Sequence, residues 1–236
     1  MPALSVIIVS HGQPSDPDPA QADLEGFTAR VAAALPGWHV EAATLAKDGA
    51  LDRALDTAGA QPLIYPLFMT EGWFTGDNLR KRLHAAPEAR ILRPLGVSPA
   101  LPDLAADLLR GVLATHGWNA CDTRLFIPGH GSGRSPNSAR DTRAFSDALA
   151  ERITFAENRV AFIEQAPYLA DQAVGLGPRA ICLPFFAMRL GHVIDDIPEA
   201  LDTADFAGVR LDPIGCAPGV PQLVADALTH EAALSG

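Results

Sequence analysis

The sequence of 236 residues has few cysteines and no arrangement that would let them act together. Its three cysteines, Cys121, Cys182 and Cys216, are far apart, and no two of them form a CxxC pair. Neither a disulfide framework nor a zinc knuckle or iron–sulfur site is supported by such spacing. Cys182 lies inside an apolar run, so we expect it to be a small buried hydrophobic residue.

The sequence also lacks an excess of basic residues and any long apolar segment. Its net charge of −10 argues against nucleic acid or an anionic membrane surface as a partner, because both require a basic face. No apolar run approaches the roughly 20 residues of a membrane span. The N-terminal MPALSVIIVSHG has neither the basic start nor the apolar length of a signal peptide. We therefore expect a cytoplasmic protein.

What the sequence does contain is a regular alternation of short apolar runs and helix-like stretches, with 20 glycines and 20 prolines between them. One predicted helix covers Asp77–His84. Strands that alternate with helices in this way predict βαβ units and a parallel sheet. The predicted strands are Ser5–Val9, His39–Thr44, Leu63–Phe68, Arg90–Leu92, Arg124–Ile127, Arg159–Ile163, Ala180–Phe185 and Val209–Asp212.

The two halves of the chain repeat each other. Residues 66–83 align without a gap on residues 184–201, a shift of 118, and VSHG aligns on PGHG at a shift of 119. Blocks that recur in order at one spacing indicate a tandem duplication. We predict an α/β protein of two repeats, 1–119 and 120–236. Each would form a four-stranded parallel sheet flanked by helices, with the flavodoxin-like strand order 2-1-3-4.

Three titratable side chains follow neighbouring strands of the second repeat. His130 comes after the first strand, Glu164 ends the second, and His192 follows the third. Ligands of open parallel sheets bind beyond the carboxyl ends of the strands. In the order 2-1-3-4 these strands lie side by side, roughly 5 Å apart. Two imidazoles and a carboxylate would then converge in one crevice.

Each of these residues also has a simpler interpretation. A histidine after a strand is commonly a turn or capping residue, and Glu164 could cap the following helix. Asp195 and Asp196 are explained as first-turn acids that the helix dipole favours. A phosphate cradle fits less well, because GHGSGRS lacks both the P-loop and the dinucleotide glycine patterns. Its glycines suit a loop that lets a flat ligand approach the backbone.

The motifs around these residues resemble one enzyme family. They are IPGHGS (127–132), VAFIEQAP (160–167) and LPFFAMRLGHVIDDIP (183–198). Together they are similar to the CbiX/SirB family of sirohydrochlorin chelatases, relatives of ferrochelatase. The resemblance covers the whole chain and implies two chelatase-type domains that face each other across a cleft. It also implies binding of a tetrapyrrole and insertion of a divalent metal ion.

Carried over residue by residue, His130, His192 and Glu164 match the active-site positions of that family. Metal insertion replaces two pyrrole N–H protons with one M²⁺ ion, so the site needs a base and metal ligands. Neutral imidazole serves both purposes near pH 7. The resemblance implies that His130 and His192 bind the metal, and that Glu164 orients groups or relays protons.

The first repeat is the degenerate copy. It keeps His11, but Phe74 stands where the second repeat has His192, and the alignment places Thr44 at the strand end that matches Glu164. This half is therefore expected to form the opposite wall of the site, with His11 contacting the substrate.

A substrate with many carboxylates needs local positive charge on an acidic protein. Four arginines follow the strands of the second repeat, and Arg80–Arg82 form a further basic patch. For any one of them, a solvated helix face is the simpler explanation. The four are Arg134, Arg140, Arg143 and Arg189. We expect the substrate to contact His11, Ser132, Arg134, Phe186 and Arg189, with Ser135 and backbone N–H groups as further carboxylate partners.

The resemblance thus implies a chelatase that takes Co²⁺, or else Fe²⁺, in cobalamin or sirohaem biosynthesis, with no permanently bound cofactor. One alternative is a carrier that binds tetrapyrrole or metal without turnover. A histidine phosphatase would need an arginine next to the histidine, as in RHG, but the two sites read SHG and PGHG. A purely structural repeat protein would leave the strand-end acids and bases unexplained.

Overall fold

A computed structural model describes residues 4–59, 61–72 and 74–234. The chain forms two compact units. One contains the chain up to Leu95 together with the segment from Pro218 onward, and the other contains Gly96–Ala217. Among the described residues, no helix has both the length and the apolar composition needed to cross a membrane.

Strands and helices alternate along the chain, as the sequence predicts. In chain order they are β1 (Ser5–Ser10), α1 (Pro17–Ala33), β2 (His39–Thr44), α2 (Ala50–Ala58), β3 (Leu63–Pro66), α3 (Leu79–Arg82), β4 (Arg90–Ile91), α4 (Leu101–His116), β5 (Arg124–Gly129), α5 (Asn137–Ala150), β6 (Glu157–Phe162), α6 (Leu169–Ala173), β7 (Ala180–Cys182), α7 (Asp196–Thr203), β8 (Val209–Arg210) and α8 (Val220–Ala233). Short 3₁₀ turns lie at Leu95–Val97, Ala120–Asp122, Gly191–Val193 and Ile214–Cys216.

Each unit contains one four-stranded parallel sheet. The strand orders are β2-β1-β3-β4 and β6-β5-β7-β8, which confirms the predicted order 2-1-3-4 in both. The central strands β1 and β5 are almost wholly buried. A parallel sheet carries helices on both faces, so its inner strands are continuous apolar runs such as VIIV and LFI. The sheets therefore explain why apolar runs, not alternating patterns, mark the strands.

The last helix of each sequence repeat belongs to the compact unit built on the other repeat's sheet. Helix α4 is part of the unit Gly96–Ala217, where it packs against α5, and Arg152 forms an ion pair with Asp103. Helix α8 packs against α1 in the first unit. We keep the division 1–119 and 120–236 as a proposal about the duplication, because the compact units divide the chain differently.

One predicted helix has a different form in the structure. Where the sequence pattern predicts a helix over Asp77–His84, a π-helical turn covers Phe74–Asn78 and leads into the short α3. Asp77 and Asn78, with which the predicted helix begins, lie in this π-helical turn, and both residue types are poor helix formers. The Thr75 hydroxyl accepts a hydrogen bond from the N–H of Gly72 at 2.9 Å, which supports an irregular first turn instead of a regular α-helix.

Candidate metal centre

The carboxyl ends of β5 and β6 hold His130 and Glu164 side by side. The register pairs Gly129 with Phe162 at the end of the two strands. Beyond this pair, the N–H of Ile163 donates to the carbonyl oxygens of Gly129 and His130 at 3.2 Å, and the N–H of Glu164 donates to that of His130 at 3.0 Å. The backbone ladder thus extends past the strands and fixes both functional residues at one sheet edge.

A tight turn at Gly131 gives His130 its position. Gly131 has φ of +71°, and a Cβ atom there would lie 2.8 Å from both the Cβ of Phe162 and the Cγ of Gln165. A side chain would be strained by the positive φ and would also collide with β6. The N–H of Ser132 donates to Oε1 of Gln165 at 2.9 Å, which closes the turn against the same segment.

His192 reaches the same place from β7. After β7 the chain continues beside β5, where the N–H of Phe185 donates to the carbonyl oxygen of Pro128 at 2.7 Å. It then turns into the 3₁₀ segment Gly191–Val193, which carries His192. The imidazole rings of His130 and His192 meet edge to face, with centroids 4.7 Å apart and planes at 86°.

The three side chains form one cluster. One ligand atom from each of His130, Glu164 and His192 lies within 4.8 Å of the others, and Nδ1 of His130 is 3.8 Å from Oε2 of Glu164. Their side chains are 42%, 47% and 41% exposed, so a solute can reach all three. Two nitrogens and a carboxylate suit a borderline divalent ion such as Fe²⁺, Co²⁺ or Zn²⁺.

The exposure of the donors suits a metal ion that exchanges with solvent. Each of the three side chains is about two-fifths to one-half exposed, so an ion can enter and leave the cluster without opening the fold.

Comparison with known proteins identifies the family to which the whole chain is related. The CbiX sequence profile matches residues 5–111 and again residues 124–231. The chain belongs to the CbiX family. The double match also confirms the predicted tandem repeat. No curated protein sequence matches the chain significantly.

Solved structures agree with this membership. The structure of CbiX, described as the terminal enzyme for biosynthesis of siroheme in denitrifying bacteria, is 46% identical, with a TM-score of 0.88 over 96% of this chain and 98% of that one. SirB from Bacillus subtilis with Fe³⁺ is 15% identical, with a TM-score of 0.77 over 99% and 97% of the two chains. The sirohydrochlorin chelatase SirB from Bacillus subtilis subspecies spizizenii in complex with cobalt is 14% identical, with a TM-score of 0.70 over 93% and 91%. These two share the fold.

Asp196 joins the cluster although the sequence analysis explains it only as a first-turn acid. Its Oδ2 accepts a hydrogen bond from Nδ1 of His192 at 2.7 Å. His192 and Asp196 are four residues apart, a spacing that brings side chains together at the start of a helix. The four-residue spacing between His192 and Asp196 is visible in the sequence and could have predicted this contact.

Two of the predicted substrate contacts lie in the loop after His130. The Ser132 hydroxyl accepts hydrogen bonds from the N–H groups of Arg134 and Ser135, at 3.1 and 3.3 Å, so it shapes the loop. The Arg134 side chain is exposed, and no partner of its guanidinium is found in the described part of the chain. Of the two side chains, Arg134 is therefore the one available to a ligand.

Phe186 and Arg189 follow β7. The ring of Phe186 packs against the core of the second unit, and its centroid is 6.4 Å from that of His130. Phe186 therefore forms a wall beside the cluster. The Arg189 side chain is 67% exposed and lies 3.4 Å from a carboxylate oxygen of Asp212.

Arg189 also lines a cavity of about 230 Å³ bounded by residues of β7, α7 and β8. Cys182 lies on its wall, and burial raises the pKa of the Cys182 thiol. A thiol that stays protonated is a poor metal ligand. The prediction that Cys182 is a buried hydrophobic residue is confirmed, and we do not count it among the metal-binding residues.

The other two arginines predicted near the crevice belong to α5 and are engaged there. Arg140 forms an ion pair with the buried Asp141 at 2.9 Å. The guanidinium carbon of Arg143 lies 4.9 Å from the ring centroid of Phe162, in a cation–π contact. Arg143 thus packs on the end of β6, whereas Arg140 is paired within α5.

In the first unit, the strand register corrects one prediction. Ser10 pairs with Thr44, and the N–H of Ala46 donates to the carbonyl oxygen of His11 at 2.9 Å. That bond is the counterpart of the one from Glu164 to His130. Ala46, not Thr44, thus occupies the position of Glu164, and Thr44 is buried. His11 is exposed at the end of β1, and the side chain of Phe74 lies outside the described part of the structure.

Proposed function

We propose that this protein inserts a divalent metal ion into sirohydrochlorin or a closely related tetrapyrrole. The observation that carries the proposal is the convergence of His130, Glu164 and His192 at the end of one parallel sheet. Membership of the CbiX family supports it, as does the 46% identity with an enzyme described as acting in siroheme biosynthesis.

The chemistry that this cluster supplies is ligand exchange coupled to proton removal. The metal ion leaves protein ligands for the four ring nitrogens, while two pyrrole N–H protons leave the ring. His130 serves as metal ligand and proton acceptor, and His192 serves as second ligand or base. Glu164 passes the protons to water, since its carboxylate lies beside His130 and is nearly half exposed.

An accessible donor set suits this reaction. A protein site that bound the ion as tightly as a structural zinc site would compete with the ring nitrogens and slow the transfer. The three half-exposed donors are open to solvent, so an ion can enter the site and leave it for the ring. We therefore treat the metal ion as a substrate of the reaction.

Two arguments favour different metal ions as the substrate. Nitrogen and carboxylate ligands accept both ions, so ligand type does not discriminate. The family resemblance of the motifs favours Co²⁺, whereas the described role of the 46% identical relative favours Fe²⁺. We propose Fe²⁺ as the first metal to test, with Co²⁺ second.

The test is anaerobic insertion into sirohydrochlorin, followed by absorbance, with Fe²⁺, Co²⁺ and Ni²⁺ in turn. We expect multiple turnovers at a rate well above the uncatalysed reaction for at least one ion. Stoichiometric binding of the ring without acceleration for any ion would contradict the proposal. That result would favour the carrier alternative.

Glu164→Gln tests the carboxylate while preserving the shape of the side chain. We expect the insertion rate to fall by about 10²-fold, because the amide can neither accept a proton nor bind a metal with a full charge. The apparent KM for the metal should rise. Steady-state insertion at varied metal concentration measures both.

The matched control for this variant is Glu199→Gln, which removes an exposed carboxylate from the same unit. It should insert metal at the wild-type rate. Equal losses in the two variants would mean that the net charge of the unit matters, and not the carboxylate beside His130.

A further inference from the structure

The contact between His192 and Asp196 fixes which nitrogen of His192 is free. Oδ2 of Asp196 lies 2.7 Å from Nδ1 of His192. A carboxylate can only accept a hydrogen bond, so Nδ1 carries the proton. The lone pair of the neutral imidazole is then on Nε2. This nitrogen is the one that can bind a metal ion or accept a proton.

His130 is fixed in the same tautomer by a different partner. Its Nδ1 lies 3.0 Å from the carbonyl oxygen of Gly131, which also can only accept. Oε2 of Glu164, at 3.8 Å from the same nitrogen, is beyond hydrogen-bond distance. Both histidines of the cluster therefore keep their proton on Nδ1 and leave Nε2 free.

The two histidines differ in what fixes their orientation. The carbonyl of Gly131 belongs to a turn that packs against β6, so the orientation of His130 follows from the backbone. His192 stands on a three-residue 3₁₀ turn and is 41% exposed. A half-exposed imidazole without a partner would sample several rotamers, and free histidine favours the tautomer with the proton on Nε2. The carboxylate of Asp196 opposes both tendencies.

We propose that Asp196 is a positioning residue, whose carboxylate holds His192 in one orientation with Nε2 free for the metal or the pyrrole proton. This inference rests on the proposed function and deepens it. Histidines that bind metals commonly donate their second N–H to a carboxylate, which fixes the ring and makes it a better ligand. Asp196 does this through a spacing of four residues at the start of α7.

The competing explanation is that Asp196 only stabilises the N-terminus of α7. The chain offers a matched control for this effect. Asp195 precedes Asp196 directly and carries the same charge at the same helix end, and no hydrogen bond to its carboxylate is found among the described residues. Asp195→Asn therefore removes the same charge from the helix terminus without removing the partner of His192.

The experiment compares Asp196→Ala, Asp196→Asn and Asp195→Asn by ¹⁵N NMR of the imidazole groups, with His192→Ala to assign the signals. In the wild type we expect the His192 signals of the tautomer protonated on Nδ1. In Asp196→Ala they should shift towards the tautomer protonated on Nε2. Asp196→Asn should retain the wild-type tautomer, because its amide oxygen still accepts. Asp195→Asn should match the wild type.

The same variants are then assayed for metal insertion. We expect kcat to fall about 10–100-fold in Asp196→Ala, the range typical of partners that orient metal-binding histidines, with the KM for the tetrapyrrole little changed. Asp196→Asn should restore most of the loss. An unchanged tautomer in Asp196→Ala would overturn the inference, and so would an unchanged kcat despite a changed tautomer.

The two readouts separate this inference from the proposed function. If the wild type inserts no metal, the proposed function fails, yet the NMR comparison still tests the hydrogen bond, and binding of Co²⁺ to the protein alone replaces the insertion assay. In that case Asp196→Ala should bind Co²⁺ about 10-fold more weakly than Asp195→Asn. Equal Co²⁺ affinity in these two variants would contradict the positioning role.

Discussion

Replacing His130 and His192 together by alanine should reduce the catalysed insertion of metal on the order of 10³-fold or more. The double variant loses both nitrogen ligands and every imidazole base of the cluster, and proton transfer by a positioned side chain alone contributes about 10²–10⁴-fold. The fold should survive, because both side chains are about two-fifths exposed and substitutions at such sites cost about 0.5 kcal/mol or less. Absorbance-monitored insertion gives kcat, and a thermal melt confirms the fold.

The controls for the double variant distinguish loss of chemistry from loss of binding. His230→Ala removes an exposed histidine from α8, and it should insert metal as the wild type does. The double variant should still bind sirohydrochlorin, with an affinity within a few fold, because we expect Arg134 and Phe186 to supply further contacts with the ring. An insertion rate within about 10-fold of the wild type would place the base and ligands elsewhere.

The location of the cluster could be predicted largely because it depends on strand order. Two apolar runs of the second repeat end next to His130 and Glu164, and the loop after β7 brings His192 back to them on the 3₁₀ turn Gly191–Val193. Once the order is β6-β5-β7-β8, His130, Glu164 and His192 must follow three adjacent strands. The backbone hydrogen bond from Glu164 to His130 then needs no special feature of the sequence.

The unit to which α4 and α8 belong could not be predicted in the same way. Their apolar faces are evident from the sequence, with Leu101, Leu109 and Leu113 buried in α4 and Val224 and Leu228 in α8. An amphipathic pattern says that a face is buried, but it does not say against which sheet. Two repeats with equivalent sheets offer each helix two similar partners, so only the folded chain decides between them.

The counterpart of Glu164 was misplaced for a related reason. In the sequence, Thr44 stands at the end of the predicted strand, and this position predicts that it matches Glu164. In the structure, Glu164 lies two residues beyond the end of β6, and Ala46 lies two residues beyond the end of β2. Side chains of a strand alternate between the two faces of the sheet, so residues two positions apart lie on the same face. The sequence pattern alone therefore does not show whether Thr44 or Ala46 matches Glu164.

Gly131 and Gly133 of the sequence GHGSGR have different surroundings that the sequence alone does not reveal. From the sequence they indicate a loop that allows a flat ligand to approach. In the structure, the space at Gly131 is filled by Phe162 and Gln165 of the protein itself, whereas a Cβ atom at Gly133 would meet no atom within 4 Å. Of these two glycines, only Gly133 leaves room for a ligand. The sequence could not distinguish them, because both simply lack a side chain.

Gly131→Ala should destabilise the protein by about 2–5 kcal/mol. A residue with a side chain costs about 1–2 kcal/mol at such a positive φ, and the new methyl group would lie 2.8 Å from the Cβ of Phe162, so further strain of about 1–3 kcal/mol is expected. The turn would also displace His130 from Glu164, so the insertion rate should fall. Urea-induced unfolding followed by circular dichroism measures the free energy of unfolding.

Gly133→Ala is the matched control, since it adds the same methyl group two residues away, at an exposed position where φ lies outside the strained positive range. Its free energy of unfolding should stay within about 0.5 kcal/mol of the wild type. If Gly133 lets the tetrapyrrole approach the backbone, Gly133→Ala should raise the KM for the ring without changing the free energy of unfolding. Gly131→Ala, in contrast, should lower the free energy of unfolding. Equal stability of the two variants would mean that Gly131 is not required by the packing of β5 against β6.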